Sequence, residues 1–149
     1  MTLYEILKNA HSGWRYIVII LLFVAVVTAL KGWLGAKNYT EGNRKLNVFT
    51  LISAHIQLLF GIALYFLSPL TKGPMSEAMY RYWKVEHISM MVLAIILITV
   101  GNAQSKKIVD ESGKHRAIGI YFGIALILIV AAIFMMANSD PSKTWFGMS

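Results

Sequence analysis

An all-α, integral-membrane four-helix up-and-down bundle is the fold this chain predicts, on three observations. Four stretches carry no charged residue: Tyr16–Leu30, Leu46–Thr71, Ile88–Ser105 and Ala117–Ser139. The chain is 57% hydrophobic with a mean hydropathy of +0.61, too apolar for a soluble domain of 149 residues. None of the four stretches alternates with a period of two, so helices rather than strands satisfy the backbone in an apolar solvent.

The whole chain, 1–149, reads as a single transmembrane domain with helices over about 2–35, 44–68, 77–107 and 112–138. Thr2 and Glu5 have capping-box spacing, so the first helix begins before the membrane. Its uncharged run is short. Lys31 snorkels outward, and Gly32, Trp33 and Leu34 extend the crossing towards the roughly 20 residues a bilayer core demands. The leader is only weakly basic and no small-x-small site follows Leu30, so this segment is kept as a helix, not a cleaved signal. It stops near Gly35.

Asn43 is the expected cap of the second helix, which ends before Pro69. Residues Ser68–Ser76, with two prolines and a glycine, form a loop. Ser76-Glu77 opens the third helix, which runs through Tyr80, Tyr82 and Trp83 into the membrane. Polar Asn102–Lys107 and Asp110–Gly113 separate the third and fourth helices. Ser139-Asp140-Pro141 ends the fourth, leaving a tail with Trp145 and Phe146 expected at the interface.

The net charge of +7 lies in loops and ends, which reads as membrane topology and excludes a nucleic-acid-binding surface. Lys31, Lys37, Arg44, Lys45, Lys106, Lys107, Lys114 and Arg116 fall on one side. Lys8, Arg15, Lys72, Arg81, Lys84 and Lys143 fall on the other. That bias favours both loops inside and both termini outside. Trp14, Trp33, Trp83 and Trp145 sit near span ends, as an aromatic belt requires. The absence of cysteine excludes c-type haem attachment, cysteine-held iron–sulfur clusters and thiol catalysis.

The chemistry lies in four histidines, one near the N-terminal end of each span: His11, His55, His87 and His115. Up-and-down order pairs His11 with His87 towards one membrane face and His55 with His115 towards the other. Ionisable groups inside spans are rare and face the bundle interior, and a porphyrin is itself apolar, so two histidine pairs suit one or two b-type haems better than zinc. The plain alternative for a single histidine is a neutral ring bonded to a backbone carbonyl, or to Gln57 in the case of His55.

Arg15 lies four residues past His11 on the same helical face, where its guanidinium fits a haem propionate or a lipid phosphate. Arg116 and Lys114 stand beside His115 in the same role, or simply form a basic turn. Glu86 points about 100° away from His87. Met91, one turn further on, is a candidate axial ligand or core packing. Gly61, Gly101 and the Gly119-x-x-x-Gly123 spacing permit close helix approach or make room for a macrocycle. At 1.5 Å per residue, His55 and His115 differ in depth by on the order of 14 Å, and His11 and His87 by about half that.

On these residues the chain resembles the small four-helix bacterial membrane proteins labelled cytochrome b. The matching pieces are His11-Ser-Gly-Trp-Arg-Tyr16, Ala54-His-Ile-Gln-Leu-Leu-Phe-Gly-Ile-Ala-Leu-Tyr-Phe66, Trp83-Lys-Val-Glu-His87 and Lys114-His-Arg116, which span nearly the whole chain. The histidine placement is similar to cytochrome b561, where two histidine pairs on alternate helices hold one haem near each face. That likeness implies His11, His87, His55 and His115 as axial ligands. There is a looser similarity to one half of haem A synthase in size and in Gln57-x-x-x-Gly61, although its Glu-x-x-His-Arg pattern is absent.

The resulting expectation is a b-type cytochrome carrying haem b, one or two per chain, that passes electrons in a bacterial inner membrane. Membrane lipid, quinone, and a larger membrane complex or a homodimer are its expected partners. The competing expectation is a haem-free structural or quinone-binding subunit of such a complex. A haem-modifying enzyme comes third.

Overall fold

A computed structural model of the chain describes residues 1–143, and all of its regular structure in that range is helical. The expected interfacial tail with Trp145 and Phe146 lies outside the described residues. Four helices are long and apolar enough to cross a membrane: α1, Leu3–Leu34; α2, Glu41–Leu67; α3, Ala78–Lys107; and α4, Glu111–Ser139. A 3₁₀ turn, Pro69–Thr71, follows α2, and α3 contains a π-helical stretch at Tyr82–Glu86.

The helix ends follow from local chemistry. Thr2 and Glu5 form a reciprocal capping box at the start of α1. At the other end, the N–H groups of Ala36 and Lys37 donate to the carbonyls of Trp33 and Gly32. This is a Schellman closure, with Ala36 at a φ of 49° where glycine is the usual choice. Helix α2 starts earlier than Asn43: Thr40 is its cap, and Asn43 reaches back to the Thr40 N–H as the far side of the box. Asp110 caps α4 through the Gly113 N–H.

Helix α1 packs against α2 and α4, and α3 against α4 and α2, so α1/α3 and α2/α4 are the two diagonals of the bundle. The core is built where α1 meets α4. Val18, Leu22, Ala25, Val26 and Ala29 on one helix mesh with Ile118, Phe122, Ala125 and Ile129 on the other. These recur at three- and four-residue steps, the period of one helical face. Close approach is enforced where small residues meet large ones: a Cβ on Gly101 would lie 2.6 Å from the Tyr121 Cβ. At the other end of the bundle, where α1 begins and α4 ends, the helices part around a pocket.

Candidate functional site: a two-histidine pocket

The pocket lies inside the bundle and takes residues from all four helices. Its walls are mainly aliphatic, with Val18, Ile19, Leu58, Ile95, Ile98 and Ile129 at its deeper end. His11 and His87 face each other across it from the diagonal helices α1 and α3. Their ring centroids are 6.3 Å apart and the rings are inclined by 75°. Met91 lines the same pocket one turn below His87.

His11 is positioned from α2. The Gln57 Nε2 donates to the His11 carbonyl at 2.8 Å, and one turn along each helix the Trp14 Nε1 donates to the Ser53 carbonyl at 2.9 Å. Two bonds at this spacing fix the register of α1 on α2. Gly61 then lets the His11 ring sit against the α2 backbone, since a Cβ there would lie 3.3 Å from its Cε1. The His11 Nδ1 and the Gln57 Oε1 are buried with no hydrogen-bond partner. An unsatisfied buried polar atom costs about 1–3 kcal/mol, and two of them at one pocket wall are unusual in a folded core.

His87 is positioned by the π stretch. Its N–H donates to the Tyr82 carbonyl, five residues back. This wider turn stacks Tyr82, Trp83 and His87 against one another, with ring centroids 4.9–5.7 Å apart. Each is anchored elsewhere. The Tyr82 hydroxyl donates to the Ala132 carbonyl on α4 at 2.6 Å, and the Trp83 Nε1 to the Asp140 carboxylate at 2.9 Å. The Tyr65 hydroxyl takes up the Lys84 carbonyl, and Lys84 itself donates to the Gly73 carbonyl. Glu86 turns away from the pocket to an ion pair with Arg81 at 3.4 Å.

The mouth is basic. Lys8, Arg15 and Lys143 line it with Tyr4. Arg15 donates to the Tyr16 hydroxyl at 3.3 Å. Burial, then the charge of Lys8, lower the Lys143 pKa. Arg15 adds to the effect, while Asp140 pulls the other way. A concentration of positive charge beside an apolar cavity suits a ligand with an apolar body and an anionic end.

The other two sequence-predicted histidines are elsewhere, and the structure does not bring them together. His55 lies midway along α2 on an exposed face. Its Nδ1 donates to the Leu51 carbonyl at 2.8 Å, and its Nε2 is 3.5 Å from the Thr99 hydroxyl of α3. His115 is 2% exposed at the opposite end, stacked over Gly32, with its Nε2 donating to the Asn38 carbonyl at 3.0 Å. Both rings are thus bonded to backbone carbonyls, the plain alternative for an isolated histidine. Arg116 is exposed and lies over the Trp33 ring, and Lys114 donates to the Ser105 carbonyl.

Sequence reasoning passed over Tyr82, Lys8 and Lys143 as site residues, and offered Gln57 only as an alternative partner for the His55 ring, which bonds the Leu51 carbonyl instead. Gln57 precedes Gly61 by four residues, and the two share the face of α2 that is turned to α1. Nothing in the sequence signals the π stretch.

Among the described residues, no group of three or more His, Asp or Glu side chains could hold a bare metal ion. Two opposed imidazoles suit a metal whose remaining ligands come from a macrocycle. The class that fold and site define is therefore a bundle of four apolar helices around a two-histidine, basic-mouthed pocket. No family model, curated protein or solved structure matches the chain.

Proposed function

We propose that the protein is a b-type cytochrome: an electron carrier of the bacterial cytoplasmic membrane that holds one haem b between His11 and His87. The separation of the two rings carries this reading. Metal–nitrogen bonds of about 2 Å on either side, plus about 1 Å from each ring nitrogen to its ring centre, ask for centroids about 6 Å apart. The observed value is 6.3 Å. The aliphatic walls fit a porphyrin body, and Lys8, Arg15 and Lys143 fit its two propionates. When bound, haem supplies a one-electron couple. His11 and His87 would hold the iron, Lys8, Arg15 and Lys143 would neutralise the acidic edge, and the aliphatic walls would keep water from the macrocycle. His55 and His115, each tied to a backbone carbonyl, are left out of this site, which argues for one haem per chain.

His55 favours a second element of the reading, a quinol partner. Its Nδ1 proton is used on the Leu51 carbonyl, and the Thr99 hydroxyl proton is used on the Ile95 carbonyl at 2.7 Å. The Nε2 and the Thr99 Oγ1 therefore stand side by side as acceptors, on an exposed face of an apolar helix, and suit a hydrogen-bond donor such as a hydroquinone.

The test is an absorption spectrum of the purified protein, oxidised and dithionite-reduced, with a haem-to-protein ratio. One low-spin haem per chain is expected, mostly lost in His11→Ala and His87→Ala and retained in His55→Ala and His115→Ala. Absence of haem from well-folded wild type reconstituted with hemin would leave the haem-free subunit as the better description. For the quinol arm, duroquinol and not its dimethyl ether is expected to bind, and more weakly to His55→Leu.

A further inference from the structure

The strongest unassigned relationship in the molecule is between Tyr82 and His87. Tyr82 is 1% exposed, and its hydroxyl has two partners, the Ala132 carbonyl at 2.6 Å and the His87 Nδ1 at 3.3 Å. A phenol has one proton. The carbonyl has none to give, so the Tyr82 proton is committed to Ala132. Towards His87 the Tyr82 oxygen can only accept, and the hydrogen between them belongs to the Nδ1. A neutral imidazole with its proton on Nδ1 has its lone pair on Nε2.

The backbone makes this contact possible. In a regular α-helix, residues five apart point about 140° away from each other, from 3.6 residues per turn. The π stretch at Tyr82–Glu86 closes that angle, with the His87 N–H bonded to the carbonyl of the same Tyr82. One residue thus holds both the main chain and the ring of His87. Such wide turns are costly in isolation and recur at functional sites.

We infer that Tyr82 is a positioning residue: it fixes His87 as the Nδ1–H tautomer, so that the Nε2 lone pair is the atom offered to a metal in the pocket. The tautomer itself follows from protein geometry alone. Its effect on a bound metal rests on the haem reading above. An acceptor on the Nδ1–H raises the ring's basicity as an axial ligand, and partners of this kind are worth 10–100-fold in metal affinity.

The experiment has two arms. In haem-free protein, ¹⁵N chemical shifts of the labelled histidines should show His87 as a single Nδ1–H tautomer, becoming a mixture in Tyr82→Phe and unchanged in Trp83→Phe, which keeps an aromatic neighbour. In hemin-loaded protein, Tyr82→Phe should bind at least tenfold more weakly and show a raised midpoint potential, because the ferric iron loses the more basic ligand. An Nε2–H tautomer at His87 in wild type would overturn the inference, whether or not the variant folds. So would an unaltered affinity and potential in Tyr82→Phe. Failure of wild type to bind hemin would instead overturn the haem reading and leave the tautomer measurement standing.

Discussion

His115 shows at the residue scale why a histidine in an apolar helix is not by itself a ligand. Its ring fills the space over Gly32 and its Nε2–H satisfies the Asn38 carbonyl at the end of α1. It is a bolt between α4 and the α1–α2 connection, flanked by the Tyr39 ring at 5.1 Å. A methyl group on Gly32 would lie 2.5 Å from three atoms of that ring. Gly32→Ala should therefore destabilise the protein by about 1–3 kcal/mol, the usual cost of overpacking a closed site. Thermal unfolding in detergent measures it, and the absorption spectrum of any bound haem should not move. A Gly32→Ala protein of unchanged stability would show that His115 can be displaced at no cost, and would reopen it as a ligand.

At the scale of elements, α3 matters most, because its second turn, Tyr82–Glu86, is π-helical between two α-helical segments. A π turn holds one residue more than the α turn it replaces. Deleting Val85, an exposed residue within the stretch, should restore α register. Tyr82 then stands four residues before His87, about 40° from it on the same helical face. Haem content should therefore be largely retained, with far-UV helicity unchanged. Loss of haem in that variant would mean that the site needs the wide turn itself, and not only the facing of Tyr82 and His87. The same stretch marks the limit of sequence reading. Hydrophobic runs, capping residues and prolines fixed where helices begin and end to within a few residues. Thr40 was missed as the start of α2 because Asn43, its reciprocal partner in the box, is an equally good cap by type. The π turn left no trace, because its stability comes from Tyr65, Ala132 and Asp140, which are distant in sequence. His11 and His87 were legible as a pair from helix order alone. Lys8 and Lys143 were not, since a lysine near a span end reads first as topology.

Considered as a whole molecule, the bundle is closely packed at one end and hollow at the other, and a carboxylate just beyond α4 ties α3 to it beside the hollow end. Asp140 is buried just past α4 and receives hydrogen bonds from Trp83 on α3, and from the Ser142 N–H and hydroxyl. Burial pushes its pKa up. Those bonds and the Lys143 charge outweigh that and hold it below the usual carboxylate range. A depressed folded-state value means that the carboxylate's stabilisation is complete above the unfolded pKa of about 3.9 and is lost as the pH falls through the lower folded value. Acidification below that point should therefore release Trp83, read as a change in its fluorescence. Asp140→Ala should show the released signal already at neutral pH, with a loss of about 1–3 kcal/mol. A pH-independent Trp83 signal down to pH 2 would remove Asp140 from this role.

The pocket draws its walls from the first and the fourth helix as well as from the two between: Tyr4, Lys8 and His11 from α1, Ala132 and Met136 from α4, and Lys143 just beyond it. A fragment holding only α1, α2 and α3 has both histidines but no fourth wall, and Tyr82 there has no Ala132 carbonyl to hold it. On the proposed haem reading, such a fragment should fail to retain hemin even with both histidines present, so that α4, which carries no ligand, decides whether the ligands can be used.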